Sequence, residues 1–168
     1  MAIYLFRHGE AFQIGEIEGV HSDDQRPLTP KGKKATSKVC RGLIELGVGC
    51  DEIWHSPLVR AVETARIVSE EMRCTNLVEK GGLAYVDESE ELFLSLKDLD
   101  PEKDLFLVGH QPYIAEWTVR LMTGMVNDHV SVSKSGVVCL ELIPGCDPPM
   151  AELRWLLRSK HLQTFAKD

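Results

Sequence analysis

Three short apolar runs, Ala2–Phe6, Glu52–Trp54 and Leu105–Val108, constrain this chain most, because each passes into a polar turn and then a helical pattern. Runs of this length suit strands buried on both faces of a sheet. Helices between such strands favour parallel pairing, since a parallel crossover needs a long connection and a helix supplies it. The expectation is an α/β fold, a three-layer α/β/α sandwich around a mainly parallel central sheet.

The helical segments carry start and stop signals. Thr29-Pro30 reads as an N-cap followed by proline at the first helical position. Ala35, Val39, Leu43, Ile44 and Leu46 then recur at helical spacing until Gly47 stops the helix. Ser56-Pro57 repeats the same signal before a helix whose apolar face is Ala61, Val62, Ala65 and Val68. Asp87 with Glu90 resembles a capping box ahead of Leu92, Phe93, Leu96 and Leu99. Pro112 opens a helix holding Ile114, Trp117, Val119 and Leu121, and Val137–Ile143 and Glu152–Leu157 read as closing strands.

The 168 residues contain no repeat, no low-complexity tract and no obvious linker, so residues 1–168 are expected to form one domain. A formal net charge of -7 opposes non-specific binding to nucleic acid, and no apolar run approaches a membrane span. Without a signal segment, the expected location is cytoplasmic. Cys40, Cys50, Cys74, Cys139 and Cys146 show no CxxC spacing and are expected to be a buried, reduced set.

In open parallel sheets, sites gather beyond the carboxyl ends of the strands. Here those ends hold Arg7-His8, His55-Ser56 with Arg60 one turn further on, and Gly109-His110. Arginine offers a planar fork of donors matched to a tetrahedral oxyanion. Nearby helix N-termini add backbone N–H groups and a favourable dipole. Histidine is a neutral nucleophile near pH 7, and a ring nitrogen attacking phosphorus divides phosphoryl transfer into two easier steps. Arg7 and Arg60 are expected to keep His8 unprotonated. No HxH or HExxH spacing exists, so no metal and no cofactor is expected.

Four ordered motifs carry a family resemblance: Arg7-His8-Gly9-Glu10, Arg26-Pro27-Leu28-Thr29, the run Ser56-Pro57-Leu58-Val59-Arg60-Ala61-Val62-Glu63-Thr64-Ala65, and Val108-Gly109-His110-Gln111-Pro112. Together they resemble the histidine phosphatase superfamily, which includes the phosphoglycerate mutases, and within it the SixA-like phosphohistidine phosphatases. The resemblance implies that His8 is the phosphorylated nucleophile and that Arg7, Arg60 and His110 form a phosphate pocket. It adds Arg26 beside that pocket. Ser56, read from its place before Pro57, is expected to cap a helix and also to orient the site.

The resemblance implies a phosphatase acting on a phosphorylated protein, most simply on phosphohistidine in signalling, or on a small phosphate ester. A small-molecule phosphomonoesterase or mutase would use a carboxylic acid, and Asp87, Glu88, Glu90 and Glu91 are the candidates. A phosphohistidine substrate needs little acid help, because its imidazole leaves readily. A phosphate-binding module without turnover is a third reading, and it would not need the nucleophile. His21, His55, His129 and His161 are read as ordinary histidines, and Lys31, Lys33, Lys34 and Lys38 as a solvated helix face.

Overall fold

The computed structural model describes residues 1–126 and 129–167. Six strands, β1 (Ala2–Arg7), β2 (Glu52–His55), β3 (Leu77–Glu79), β4 (Leu105–Gly109), β5 (Val137–Ile143) and β6 (Met150–Leu157), form one sheet in the order β3-β2-β4-β1-β5-β6. The first four of that order run parallel, while β5 is antiparallel to β1 and β6 to β5. The expected mainly parallel α/β/α sandwich is the architecture found.

Residues alternate across the strands, and each face meets its own helices. Ile3, Leu5, Leu105 and Leu107 pack with Leu92 and Phe93 of α3 (Val86–Ser95) and with Ile114, Trp117 and Leu121 of α4 (Tyr113–Thr123). Tyr4, Phe6, Phe106 and Val108 face α1 (Pro30–Glu45), α2 (Val59–Met72) and α5 (Ser159–Phe165) through Val39, Leu43, Ala61, Ala65, Val68 and Leu162. Truncating a residue such as the fully buried Phe106 to alanine would cost about 3–5 kcal/mol.

Several local expectations need correction. Thr29 does cap α1, accepting from the Gly32 amide at 2.9 Å. At the end of that helix Ile44 and the C-cap Leu46 are exposed, and Gly32, Thr36 and Cys40 take the buried side with Val39 and Leu43. Ser56 is not the cap of α2, which starts at Val59 with Leu58 before it. Its hydroxyl instead accepts from the Leu58 amide at 3.2 Å, one turn short of the helix. No capping box forms at Asp87 and Glu90, because α3 already begins at Val86 and its start has no side-chain cap. Cys40, Cys74 and Cys139 are buried, whereas Cys50 and Cys146 are half-buried, and all five are free thiols. No helix among the described residues is long and apolar enough to cross a membrane.

Candidate active site

Strand register decides which residues meet. In the parallel pair β1/β4, Arg7 lies opposite Gly109, and in β2/β4, His55 lies opposite Val108. The ladder continues one step past the strands, with the His8 amide donating to the Gly109 carbonyl and the Ser56 amide to that of Val108, both at 3.0 Å. The next residues, His8, Ser56 and His110, therefore emerge side by side at the carboxyl edge of the sheet. The His8 and His110 rings lie 5.0 Å apart between centroids.

His8 is 7% exposed. Its Nδ1 lies 2.7 Å from the Gly9 carbonyl oxygen, a partner that only accepts, so the proton sits on Nδ1. That leaves Nε2 with its lone pair, and Arg60 donates to it from Nε at 3.3 Å. The His8 pKa is pushed down to about 3, first by burial and then by His110, Arg60 and Arg7, with the Gly9 hydrogen bond pulling the other way. Arg60 and Arg7 act in the expected direction, but burial and then His110 are the larger causes.

His110 is set by Ser56. Nε2 of the ring lies 2.7 Å from Ser56 Oγ, which already accepts from the Leu58 amide. If the hydroxyl donates to Nε2, the proton of His110 resides on Nδ1. That buried Nδ1 has no hydrogen-bond partner among the described residues, and neither has the buried Nε of Arg7. Orphaned buried polar atoms carry a desolvation cost unless a ligand meets them. The His110 pKa is pushed down to about 4, by burial first and then by Arg60.

The arginines are fixed by partners outside the sheet. Arg7 donates from Nη1 to the Val132 carbonyl at 2.7 Å. Arg60, 6% exposed, donates to the Asp23 carbonyl at 2.5 Å and to its carboxylate at 2.7 Å. Arg26 meets the other oxygen of the same carboxylate at 2.6 Å and the Phe12 carbonyl at 2.6 Å. Asp23 thus bridges Arg26 to Arg60, and Arg26 first, then Arg60, holds its carboxyl below the usual carboxylate range.

Sequence reasoning missed Asp23, although its place three residues before Arg26 was a usable signal. It also missed Thr64, which accepts from the Gly9 amide at 3.1 Å and donates to the Arg60 carbonyl at 2.6 Å, tying the loop after β1 to α2. Four carboxylates considered as acids, Asp87, Glu88, Glu90 and Glu91, are exposed on α3. Glu90 is committed to Arg120 through contacts of 2.6 and 2.7 Å. His55 is buried with its ring against the Ser56 carbonyl at 3.0 Å, which is an ordinary satisfied histidine.

Fold and site together define an α/β protein whose sheet edge gathers two neutral histidines and a set of fixed guanidinium groups, an arrangement suited to a phosphoryl group. Residues 3–88 match the model of the histidine phosphatase superfamily (branch 1), and the chain belongs to that superfamily. It is 33% identical over 147 residues to an uncharacterized protein of Picosynechococcus sp., covering 83% of this chain and 84% of that one. The fold resembles the protein histidine phosphatase SixA complexed with tungstate, with a TM-score of 0.78, 19% identity, and coverage of 96% of this chain and 99% of that one. It also resembles the alpha-ribazole phosphatase of Shigella flexneri, with a TM-score of 0.74, 19% identity, and coverage of 95% and 97%.

Proposed function

We propose that residues 1–168 form one phosphatase domain that takes a phosphoryl group onto Nε2 of His8 and passes it to water, with protein phosphohistidine as the favoured substrate. The observation that carries this reading is the state of His8: buried, neutral, with Nδ1–H tied to the Gly9 carbonyl and the Nε2 lone pair turned to Arg60.

In the first step the Nε2 lone pair attacks phosphorus, the bond between phosphorus and the leaving nitrogen breaks, and the departing imidazole takes its proton from solvent. In the second, a water oxygen attacks phosphorus, the bond to His8 Nε2 breaks, and inorganic phosphate leaves. Charge on the equatorial oxygens is met by Arg60, by Arg7 Nε and by the Nδ1–H of His110, donors fixed before the substrate arrives. Ser56 positions His110, and Arg26 acts through Asp23 on Arg60. SixA, which shares the fold, is complexed with tungstate, an oxyanion of similar shape, which supports a phosphate ligand for this fold.

The substrate preference follows from the acid. Among the described residues, Asp23 is the carboxylate that contacts Arg60 and acts on His110, and its lowered proton affinity makes it a poor donor to an alkoxide. A basic imidazole leaving group does not need one. The small-molecule reading, which the likeness to an alpha-ribazole phosphatase favours, requires a proton donor for an alkyl ester. The two are separated by turnover of a phosphohistidine protein against sugar phosphates and phosphoglycerate. We expect a kcat/KM for phosphohistidine at least about a hundredfold higher, little altered by neutralising Asp87, Glu88, Glu90 or Glu91 singly. Faster turnover of an alkyl ester, lost with one of those carboxylates, would reassign the enzyme to small molecules.

A further inference from the structure

A second groove, of about 460 Å³, adjoins the site on the α1 and α5 side. Glu10, Lys31, Lys134, Arg158 and Lys160 line it. One segment forms the wall between the two. Val132 accepts from Arg7 Nη1 at 2.7 Å, the Ser135 amide donates to the carbonyls of Arg7 and His8 at 3.1 and 3.2 Å, and the Gly136 carbonyl accepts from the Arg7 amide at 3.1 Å. Anything bound in the groove therefore lies against the backbone that holds Arg7 and His8.

The charge of this groove runs against that of the molecule. The chain carries 26 acidic and 19 basic residues, and many of its cations are paired: Lys33 with Glu63, Arg41 with Glu71, Lys97 with Asp147, Arg120 with Glu90. In the groove, Lys31 pairs with Glu10 at 3.3 Å. The exposed Lys134, Arg158 and Lys160 have no ion-pair partner among the described residues. On the far side, α3 and α4 present Asp87, Glu88, Glu91 and Glu116. An anionic chain approaching the site would be drawn to the first side and repelled by the second.

We propose that this groove receives an acidic polypeptide segment flanking the phosphorylated residue of the substrate protein. This rests on the phosphoprotein reading above and adds the class of sequence selected. Three unpaired cations, in a groove whose wall holds the backbone of Arg7 and His8, strengthen encounter with an Asp- and Glu-rich segment, and a small phosphate ester would not need them. Of the α1 lysines, only Lys31 belongs to the groove.

Two measurements test it. The first is fluorescence anisotropy of a labelled Glu- and Asp-rich decapeptide against its Gln- and Asn-substituted counterpart, with wild type and with a variant carrying Lys134→Gln, Arg158→Gln and Lys160→Gln. We expect about tenfold preference for the acidic peptide at low salt, reduced to within about twofold in the variant or in about 0.5 M salt. The second is kcat/KM on the same peptides phosphorylated on histidine, where the variant should lose about tenfold on the acidic one only, through KM, with an aryl phosphate unaffected. No preference for the acidic peptide in wild type, or equal preference in the variant, overturns the proposal. So does tighter binding of a single-stranded oligonucleotide, equally lost in the variant. Failure of wild type to hydrolyse any phosphohistidine peptide refutes the proposed substrate, while the anisotropy still decides the groove.

Discussion

Arg60 Nε lies 3.3 Å from His8 Nε2, so a guanidinium N–H occupies the lone pair that would attack phosphorus. On the proposed mechanism, a phosphoryl oxygen arriving between them would take over that N–H and free the imidazole in one movement. The contact depends on a planar side chain whose Nε faces His8 while its other nitrogens hold Asp23.

Lysine cannot make both contacts. Arg60→Lys is therefore expected to lower kcat/KM by about a hundredfold, as loss of a fixed transition-state donor does. Turnover within about fivefold of wild type would show that charge alone suffices.

On the proposed mechanism, Asp23 would compete with the phosphoryl group for Arg60, which it holds in this structure. Asp23→Asn removes the charge that draws Arg60 and Arg26 together, and inorganic phosphate should then inhibit at about fivefold lower concentration. Weaker inhibition would mean that Asp23 serves mainly to position Arg60.

The two histidines impose a pH dependence on stability. Burial, aided by neighbouring cations, takes His8 to about 3 and His110 to about 4, below the ordinary value of about 6.5. Between those limits the unfolded chain binds protons that the folded one refuses, so stability is full above pH about 6.5 and is lost as pH falls below it. Each group contributes roughly 1 kcal/mol per pH unit to that slope. Melting curves of His110→Asn should fall less steeply than wild type between about pH 7 and pH 5. Parallel curves would contradict the depressed His110 value.

Gly9 is required by space. A Cβ there would meet Thr36 Oγ1 at 2.7 Å and the Gly32 carbonyl oxygen at 3.3 Å. Gly9→Ala should cost about 1–3 kcal/mol and displace His8. Thr36→Ala removes the nearest obstacle, so the double variant should lose less than the sum of the single losses. Strict additivity by denaturant unfolding would show that the strain lies elsewhere.

The sheet was legible because buried parallel strands read as unbroken apolar runs, and strand ends then placed Arg7, His8, Ser56 and His110. Local caps were less so: Ser56-Pro57 carries the signal of a helix start, but the Ser56 hydroxyl is engaged by Leu58 and His110 before the helix begins. β3, at Leu77–Glu79, and α5, at Ser159–Phe165, are too short to carry a periodic pattern of their own. The i,i+3 spacing of Asp23 and Arg26 was legible, but the contact with Arg60, thirty-seven residues away, is made only by the loop that follows β1.

The central claim is a phosphoryl group carried by His8. Rapid acid-free quenching of enzyme turning over a radiolabelled phosphohistidine protein, followed by peptide mapping, tests it most directly. The account predicts an acid-labile, alkali-stable label on the peptide containing His8, and neither label nor turnover in His8→Ala. Label on a serine or a cysteine, or full turnover by His8→Ala, would contradict it.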